Sequence, residues 1–223
     1  MKQHFRNSLS EILGTFAIVF FGTGAIIVNQ EYGGVIGHAG IAITFGLIVM
    51  AMIYALGDIS GAHFNPAVSI AFYAAGKFPA SRLMPYIISQ FTGAVIASIF
   101  LRLLFPSNVT LGATLPSGSV WQSFIMELIL TFFLMLVILH VAHGSKEQGL
   151  FAGLAIGSVV LLEAMFAGPV CGASMNPARS LGPAVISGQT NVLWLYQLAP
   201  VAGALLAVPC WSLLKSKVLF RNR

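Results

Sequence analysis

Two copies of the tripeptide Asn-Pro-Ala are the residues in this chain whose type and spacing could do chemistry. They are Asn65, Pro66, Ala67 and Asn176, Pro177, Ala178. Asn is a strong helix N-cap and Pro is favoured at the first helical position, so each copy predicts a helix start. The Asn amides can donate hydrogen bonds to a passing molecule, and helix N-termini carry partial positive charge. This chemistry favours neutral hydrogen-bond acceptors and disfavours cations, including protons.

The residues around the two tripeptides also match. Residues 60–64 read SGAHF and residues 171–175 read CGASM, while Glu11 in SEILGTF corresponds to Glu127 in MELILTF. A single Asn-Pro-Ala would most simply be an ordinary helix cap. Two copies with matched flanks instead predict an internal repeat, covering about 8–105 and 120–215, within one domain of residues 1–223.

The composition places most of the chain in lipid. Charged residues make up 8% of the 223 residues and hydrophobic residues 57%, with a mean hydropathy of +0.90. Soluble globular proteins carry roughly 25% charged residues, so this chain cannot cover a water-facing surface. A disordered protein, a nucleic-acid-binding domain and a disulfide scaffold are excluded together.

Six segments have about the 20 apolar residues that a membrane-spanning helix needs. They are Leu9–Val28, His38–Gly57, Leu83–Leu104, Trp121–Ala142, Gly149–Ala167 and Trp194–Leu214. The segments Asn65–Ala75 and Asn176–Ile186 are each about 16 Å long as helices, half of a hydrocarbon core. We predict re-entrant half-helices there. Because each half of the repeat has three spans, the second copy is inverted and the two half-helices enter from opposite faces.

The basic residues predict the orientation. Nine of the eleven fall on one side of the six spans, which is predicted to be cytoplasmic together with both termini. These nine are Lys2, Arg6, Lys77, Arg82, Lys146, Lys215, Lys217, Arg221 and Arg223. Arg102, near the end of the third span, can reach the outer interface. Arg179 lies inside the second half-helix and therefore requires a functional reason.

With these motifs, the chain resembles the aquaporin, or major intrinsic protein, family over essentially its whole length. The resemblance rests on the two Asn-Pro-Ala motifs, their flanks and Arg179 after the second motif. It implies an all-helical membrane fold of six spans plus two half-helices. It also implies a homotetramer in the lipid bilayer with one pore per protomer, conducting water and small neutral solutes.

The resemblance also implies a four-residue selectivity filter on the extracellular side. Its members here are Phe45, Ala164, Ala173 and Arg179. Water-only members usually carry His at the place of Ala164, so a methyl group there widens the opening. The local sequence resembles that of nodulin-like members most. Those members resemble channels for glycerol and for boric, silicic and arsenous acid. A glycerol facilitator of the classical type is less favoured because Ser180 stands where that type usually has Asp.

The remaining candidate residues have two interpretations each. By the resemblance, Glu11 and Glu127 are structural carboxylates that hydrogen-bond the half-helix loops; a proton relay is the alternative. His63 either packs in its loop or lines the cytoplasmic pore mouth, and Asp58 is either a solvated loop acid or a gating residue. Glu163, beside Ala164, is turned about 100° away from it on a helix and is predicted to face away from the pore.

The expected function is passive conduction without enzyme activity, metal, cofactor or nucleic-acid partner. A water-selective channel is the alternative, and a coupled secondary transporter, which also uses inverted repeats, is a further one. A structural junction protein that has lost conduction is a third. The short termini favour a prokaryotic member in the inner membrane.

Overall fold

The computed structural model describes residues 2–216, which form nine helices. Their bounds are α1 Lys2–Glu31, α2 Gly37–Ser60, α3 Pro66–Ala74, α4 Ala80–Leu104, α5 Val120–Ala142, α6 Lys146–Leu150, α7 Ala152–Cys171, α8 Pro177–Ser187 and α9 Leu193–Ser216. Helices α1, α2, α4, α5, α7 and α9 are long and apolar enough to cross a membrane. The predicted fold class, six spans with additional short helices, is confirmed.

The boundaries differ from the predictions where polar residues continue a helix. Helix α1 begins at Lys2 instead of Leu9, because its polar first two turns stay helical. Helix α7 begins at Ala152, three residues later than predicted, because the short helix α6 precedes it. The Ser145 hydroxyl and the Gln148 side chain form a capping box that starts α6.

Three helix pairs form the body of the fold: α1 packs on α4, α5 on α9, and α2 on α7. The first two pairs join the first and third spans of each half. Helices α2 and α7 cross at Gly46 and Gly157. A Cβ added to either glycine would lie 2.6 Å from the carbonyl oxygen of the other. Small residues at this crossing let the two backbones touch, as in other membrane helix pairs.

Basic residues from separate segments meet at one end of the bundle. The Lys215 ammonium lies 4.9 Å from the centre of the Trp211 ring, and the Lys77 ammonium lies 6.0 Å from it. Burial, together with these two ammonium groups, lowers the pKa of His143 at the end of α5. The loop after α3 and the ends of α5 and α9 therefore share one side. Lys217, Arg221 and Arg223 lie outside the described residues.

Candidate functional site

The two half-helices begin at the same point of the molecule. The Asn65 side chain accepts a hydrogen bond from the Ala67 N–H at 2.9 Å, and that of Asn176 accepts from the Ala178 N–H at the same distance. Pro66 and Pro177 each stand at the first helical position. Both tripeptides are thus helix starts of the predicted kind.

Each Asn also ties one half-helix to the other. Asn65 Nδ2 donates to the Met175 carbonyl at 2.8 Å, and Asn176 Nδ2 donates to the Phe64 carbonyl at 2.9 Å. A carboxamide has two N–H groups, and this bond uses one of them. Since both Asn residues line the central cavity, the second N–H of each is the group that can meet a solute.

Glu11 and Glu127 hold the loops that carry the two tripeptides. Glu11 accepts hydrogen bonds from the His63 and Phe64 N–H groups at 3.0 and 2.7 Å. Glu127 accepts from the Ser174 and Met175 N–H groups at 2.7 and 2.8 Å. Both carboxylates are fully buried. They face loop backbone rather than the cavity, which favours the structural interpretation over a proton relay.

These loops need support because their backbones are strained. Ala62 and Phe64 in the first loop, and Ala173 and Met175 in the second, have φ angles between 40° and 52°. Such left-handed conformations cost about 1–3 kcal/mol each in residues other than glycine. The hydrogen bonds to the two carboxylates offset this cost.

Glu127 accepts fewer hydrogen bonds than Glu11. Glu11 also accepts from the Ser60 hydroxyl at 2.7 Å and from Gln90 Nε2 at 2.8 Å. Cys171 occupies the place of Ser60 in the second copy. The Cys171 side chain also interacts with Glu127, but a thiol is a weaker donor than a hydroxyl.

We expect Glu127→Leu to lower the free energy of unfolding by about 2–6 kcal/mol. The leucine removes the acceptor of two buried N–H groups, each costing about 1–3 kcal/mol when left unpaired. Thermal unfolding in detergent, followed by circular dichroism, measures the loss. The matched control is Glu147→Leu, because Glu147 is exposed on α6 and a surface change of this kind stays within about 0.5 kcal/mol. Equal stability of the two variants would contradict the claim that Glu127 stabilises the second loop.

A cavity of about 570 Å³ connects the predicted site residues. Residues from both half-helix starts and from the predicted filter line it. Its lining includes Asn65 and Asn176 at the centre, His63 and Asp58 toward one end, and Phe45, Ala164, Ala173 and Arg179 at the other. All four predicted filter residues thus line this one cavity.

The four filter positions are unequal in size and polarity. The guanidinium carbon of Arg179 lies 5.1 Å from the centre of the Phe45 ring, and Arg179 Nη1 donates to the Gly112 carbonyl at 2.9 Å. Arg179 Nε is buried and has no hydrogen-bond partner among residues 2–216. Ala164 and Ala173 contribute only methyl groups. Of the four predicted filter residues, one is therefore aromatic, one carries fixed donors and charge, and two are small.

The position of Phe45 depends on a glycine of α1. A Cβ on Gly22 would come within 2.2 Å of the Phe45 ring. Real Cβ atoms do not approach so closely, so a side chain at residue 22 would push the ring out of its place. The Phe45 ring lies close enough to the Arg179 guanidinium for a cation–π attraction of about 0.5–2 kcal/mol.

His63 packs against aromatic rings and also lines the cavity. Its ring centre lies 4.8 Å from that of Phe72 and 5.2 Å from that of Tyr86, so it packs against aromatic rings. Its Nδ1 lies 2.9 Å from the Ser69 hydroxyl, and the residue also lines the cavity. Asp58 is exposed at the same end of the cavity.

Glu163 is buried on α7 and is absent from the cavity lining, as predicted. Its Oε2 atom has no hydrogen-bond partner in the part of the chain that the structure describes. The structure does not explain this carboxyl group.

Sequence reasoning missed a second set of matched polar residues. The Tyr86 hydroxyl donates to the Ser60 carbonyl, and the Tyr196 hydroxyl donates to the Cys171 carbonyl, both at 2.7 Å. Tyr86 and Tyr196 are 110 positions apart, almost the spacing of the two tripeptides. Extending the alignment of the two copies to the third span of each half would have found this pair.

Within residues 2–216, no group of three or more His, Cys, Asp or Glu side chains could hold a metal ion.

The comparisons with known proteins agree with this geometry. The family model described as Major intrinsic protein matches residues 1–211. Aquaporin NIP1-1 from Zea mays is 47% identical over 93% of this chain and 74% of its own length. Nodulin-26 from Glycine max is 47% identical over 88% of this chain and 73% of its own length.

The fold has a solved counterpart as well. The X-ray structure of the aquaglyceroporin from Plasmodium falciparum superposes with a TM-score of 0.87, covering 97% of this chain and 98% of that chain, at 25% identity. These curated relatives are plant proteins, so the comparisons lend no support to the expected prokaryotic source. With a family match along nearly its whole length, this chain is a transmembrane channel of the major intrinsic protein family and not an enzyme.

Proposed function

We propose that this channel passes water and small uncharged solutes of the glycerol, boric acid, silicic acid and arsenous acid type, and excludes ions and protons. The observation that carries the proposal is the make-up of the constriction. Ala164 and Ala173 leave room beside the Phe45 ring, while Arg179 supplies donors to solute hydroxyl groups. Its buried charge opposes cations.

The centre of the cavity supports passive rather than coupled movement. The groups there are the neutral amides of Asn65 and Asn176, and each amide keeps one N–H for a solute oxygen. Coupling to a proton or ion gradient would require a titratable or ion-binding group at this depth. The similarity to an aquaglyceroporin structure, with a TM-score of 0.87, favours conduction of glycerol-sized solutes over conduction of water alone.

We further propose a homotetramer with one pore per protomer, built from inverted repeats of about residues 8–105 and 120–215 in one domain. Large exposed apolar side chains on α2 and α7, such as Leu47, Leu162 and Phe166, suit contact with lipid or with a neighbouring protomer. Both termini lie on the cytoplasmic side of the plasma membrane in this proposal, as the basic residues of the loops favour.

The test is solute uptake into proteoliposomes that contain the purified chain. Glycerol uptake is expected to rise linearly with glycerol concentration and to be the same with and without a pH gradient. Uptake that saturates and follows the pH gradient would overturn the proposal in favour of a coupled transporter. Water permeability without any glycerol or boric acid uptake would instead favour the water-selective alternative.

A further inference from the structure

The outer end of α7 contains a carbonyl group that its own helix cannot satisfy. Pro169 lies inside α7 and has no N–H, so the Met165 carbonyl, four residues earlier, loses its helical donor. His38, in the first turn of α2, fills this place: its Nε2 atom lies 2.6 Å from the Met165 oxygen. Because a carbonyl oxygen only accepts, Nε2 carries the proton and donates.

The packing around this hydrogen bond fits the His38 ring. A Cβ on Gly168 would lie 3.0 Å from His38 Cε1, closer than most real contacts. Glycine at this position therefore lets the imidazole approach the α7 backbone. His38 contacts α7 over one turn of its helix, from Met165 to Gly168.

This contact lies next to Ala164 and on the same face of α2 as Phe45. Met165 follows Ala164 directly, and Phe45 comes seven positions after His38, which is two turns along the same face of α2. The hydrogen bond thus joins the helix that carries Phe45 to the helix that carries Ala164.

Other donors fix the rest of the segment between the two filter alanines. The Ser117 hydroxyl donates to the Pro169 and Val170 carbonyls, and the Tyr196 hydroxyl donates to that of Cys171. These contacts hold the part of the segment nearer Ala173. Among these hydrogen bonds, that of His38 has the acceptor nearest to Ala164 in sequence.

We propose that His38 is a positioning residue that keeps the Ala164 wall at its distance from Phe45 and thereby sets the largest solute that passes. The proposal rests on the proposed function, since it assigns a residue that tunes the same constriction. Without the donor, the Met165 carbonyl must find water, and this end of α7 loses its hydrogen bond to α2, while the packing at Gly46 and Gly157 remains. The opening then discriminates less sharply by solute size.

The test compares two variants that separate the hydrogen bond from the packing. His38→Phe keeps a ring against Gly168 but has no donor, whereas His38→Gln keeps an N–H donor. The readout is the ratio of glycerol to erythritol permeability in proteoliposomes, with equal amounts of folded protein. We expect the ratio to fall at least about twofold in His38→Phe and to stay near the wild-type value in His38→Gln.

The matched control is His140→Phe. The His140 ring bonds to the Leu136 carbonyl of its own helix at 2.8 Å and does not line the cavity, so its loss should leave the ratio unchanged. An unchanged ratio in His38→Phe, or the same fall in His38→Gln, would overturn the proposal. His38→Ala replaces His38→Phe if that variant does not fold.

Failure of the proposed function would remain distinguishable. If the wild-type channel passes water but neither polyol, the solute range is wrong. The role of His38 is then tested by comparing the water permeability per channel of the wild type and the two variants. We expect a change of at least about twofold in His38→Phe but not in His38→Gln, and equal values would overturn the role of His38.

Discussion

Ala164→His is expected to lower glycerol and boric acid permeability at least about tenfold and to leave water permeability within about twofold of wild type. Ala164 lines the cavity as one of the four residues of the proposed constriction and presents only a methyl group. An imidazole ring there fills the space beside Phe45 and adds a hydrogen-bonding group that suits water. A tenfold loss corresponds to about 1.4 kcal/mol of added permeation barrier. An imidazole ring in the path of the solute can raise the barrier by this amount.

Stopped-flow light scattering on proteoliposomes measures both quantities in the same preparation. Ala80→His is the matched control, because Ala80 is exposed at the start of α4 and lies outside the cavity lining. The control should conduct glycerol and water as the wild type does. If Ala164→His still carries glycerol at the wild-type rate, Ala164 does not set the width of the opening.

The second large effect is expected from Arg179→Val, which should raise proton conductance at least about tenfold. Arg179 is 2% exposed, and one of its guanidinium nitrogens is anchored to the Gly112 carbonyl. A fixed positive charge in a narrow, poorly hydrated site repels cations with several kcal/mol, since the effective dielectric constant there is far below that of water. Removing the charge removes that part of the barrier.

A pH-sensitive dye trapped in proteoliposomes reports the proton flux under an imposed membrane potential. Arg102→Val provides the same substitution outside the cavity, since Arg102 donates to the Pro106 and Asn108 carbonyls at the end of α4. This control should remain proton-tight. If both variants are equally tight, Arg179 is not the group that excludes cations.

The half-helices show how far local sequence information reaches. The predicted segment Asn65–Ala75 corresponds to α3 Pro66–Ala74, and Asn176–Ile186 corresponds to α8 Pro177–Ser187. The agreement is close because an Asn cap and a Pro at the first helical position are local signals. The start of α7 was predicted less well, since helix α6 interrupts an apolar stretch that composition alone reads as continuous.

Contacts between distant segments could be predicted only through the repeat or the resemblance. The positions of the four filter residues came from the resemblance, and the cavity brings them together. The bond of His38 to Met165 was not predicted. Pro169 signals from the sequence that a carbonyl lacks its donor, but the donor lies 127 positions away and is identified only by the packing of α2 on α7.

Glu163 marks the remaining gap between sequence and structure. Its direction away from the cavity follows from its place next to Ala164 on one helix. A carboxyl group at membrane depth normally has a partner, and its buried Oε2 atom has none among the described residues. No local pattern in the chain accounts for this group.

The central claim is that the constriction admits small neutral polyols, and the most direct measurement is glycerol-driven reswelling of proteoliposomes containing the wild-type channel. Vesicles shrunk in a glycerol gradient should reswell at least about ten times faster with the channel than without it, and their initial shrinkage should show fast water flow. Fast shrinkage followed by reswelling at the rate of protein-free vesicles would contradict the account, because the opening between Phe45, Ala164 and Arg179 would then pass water alone.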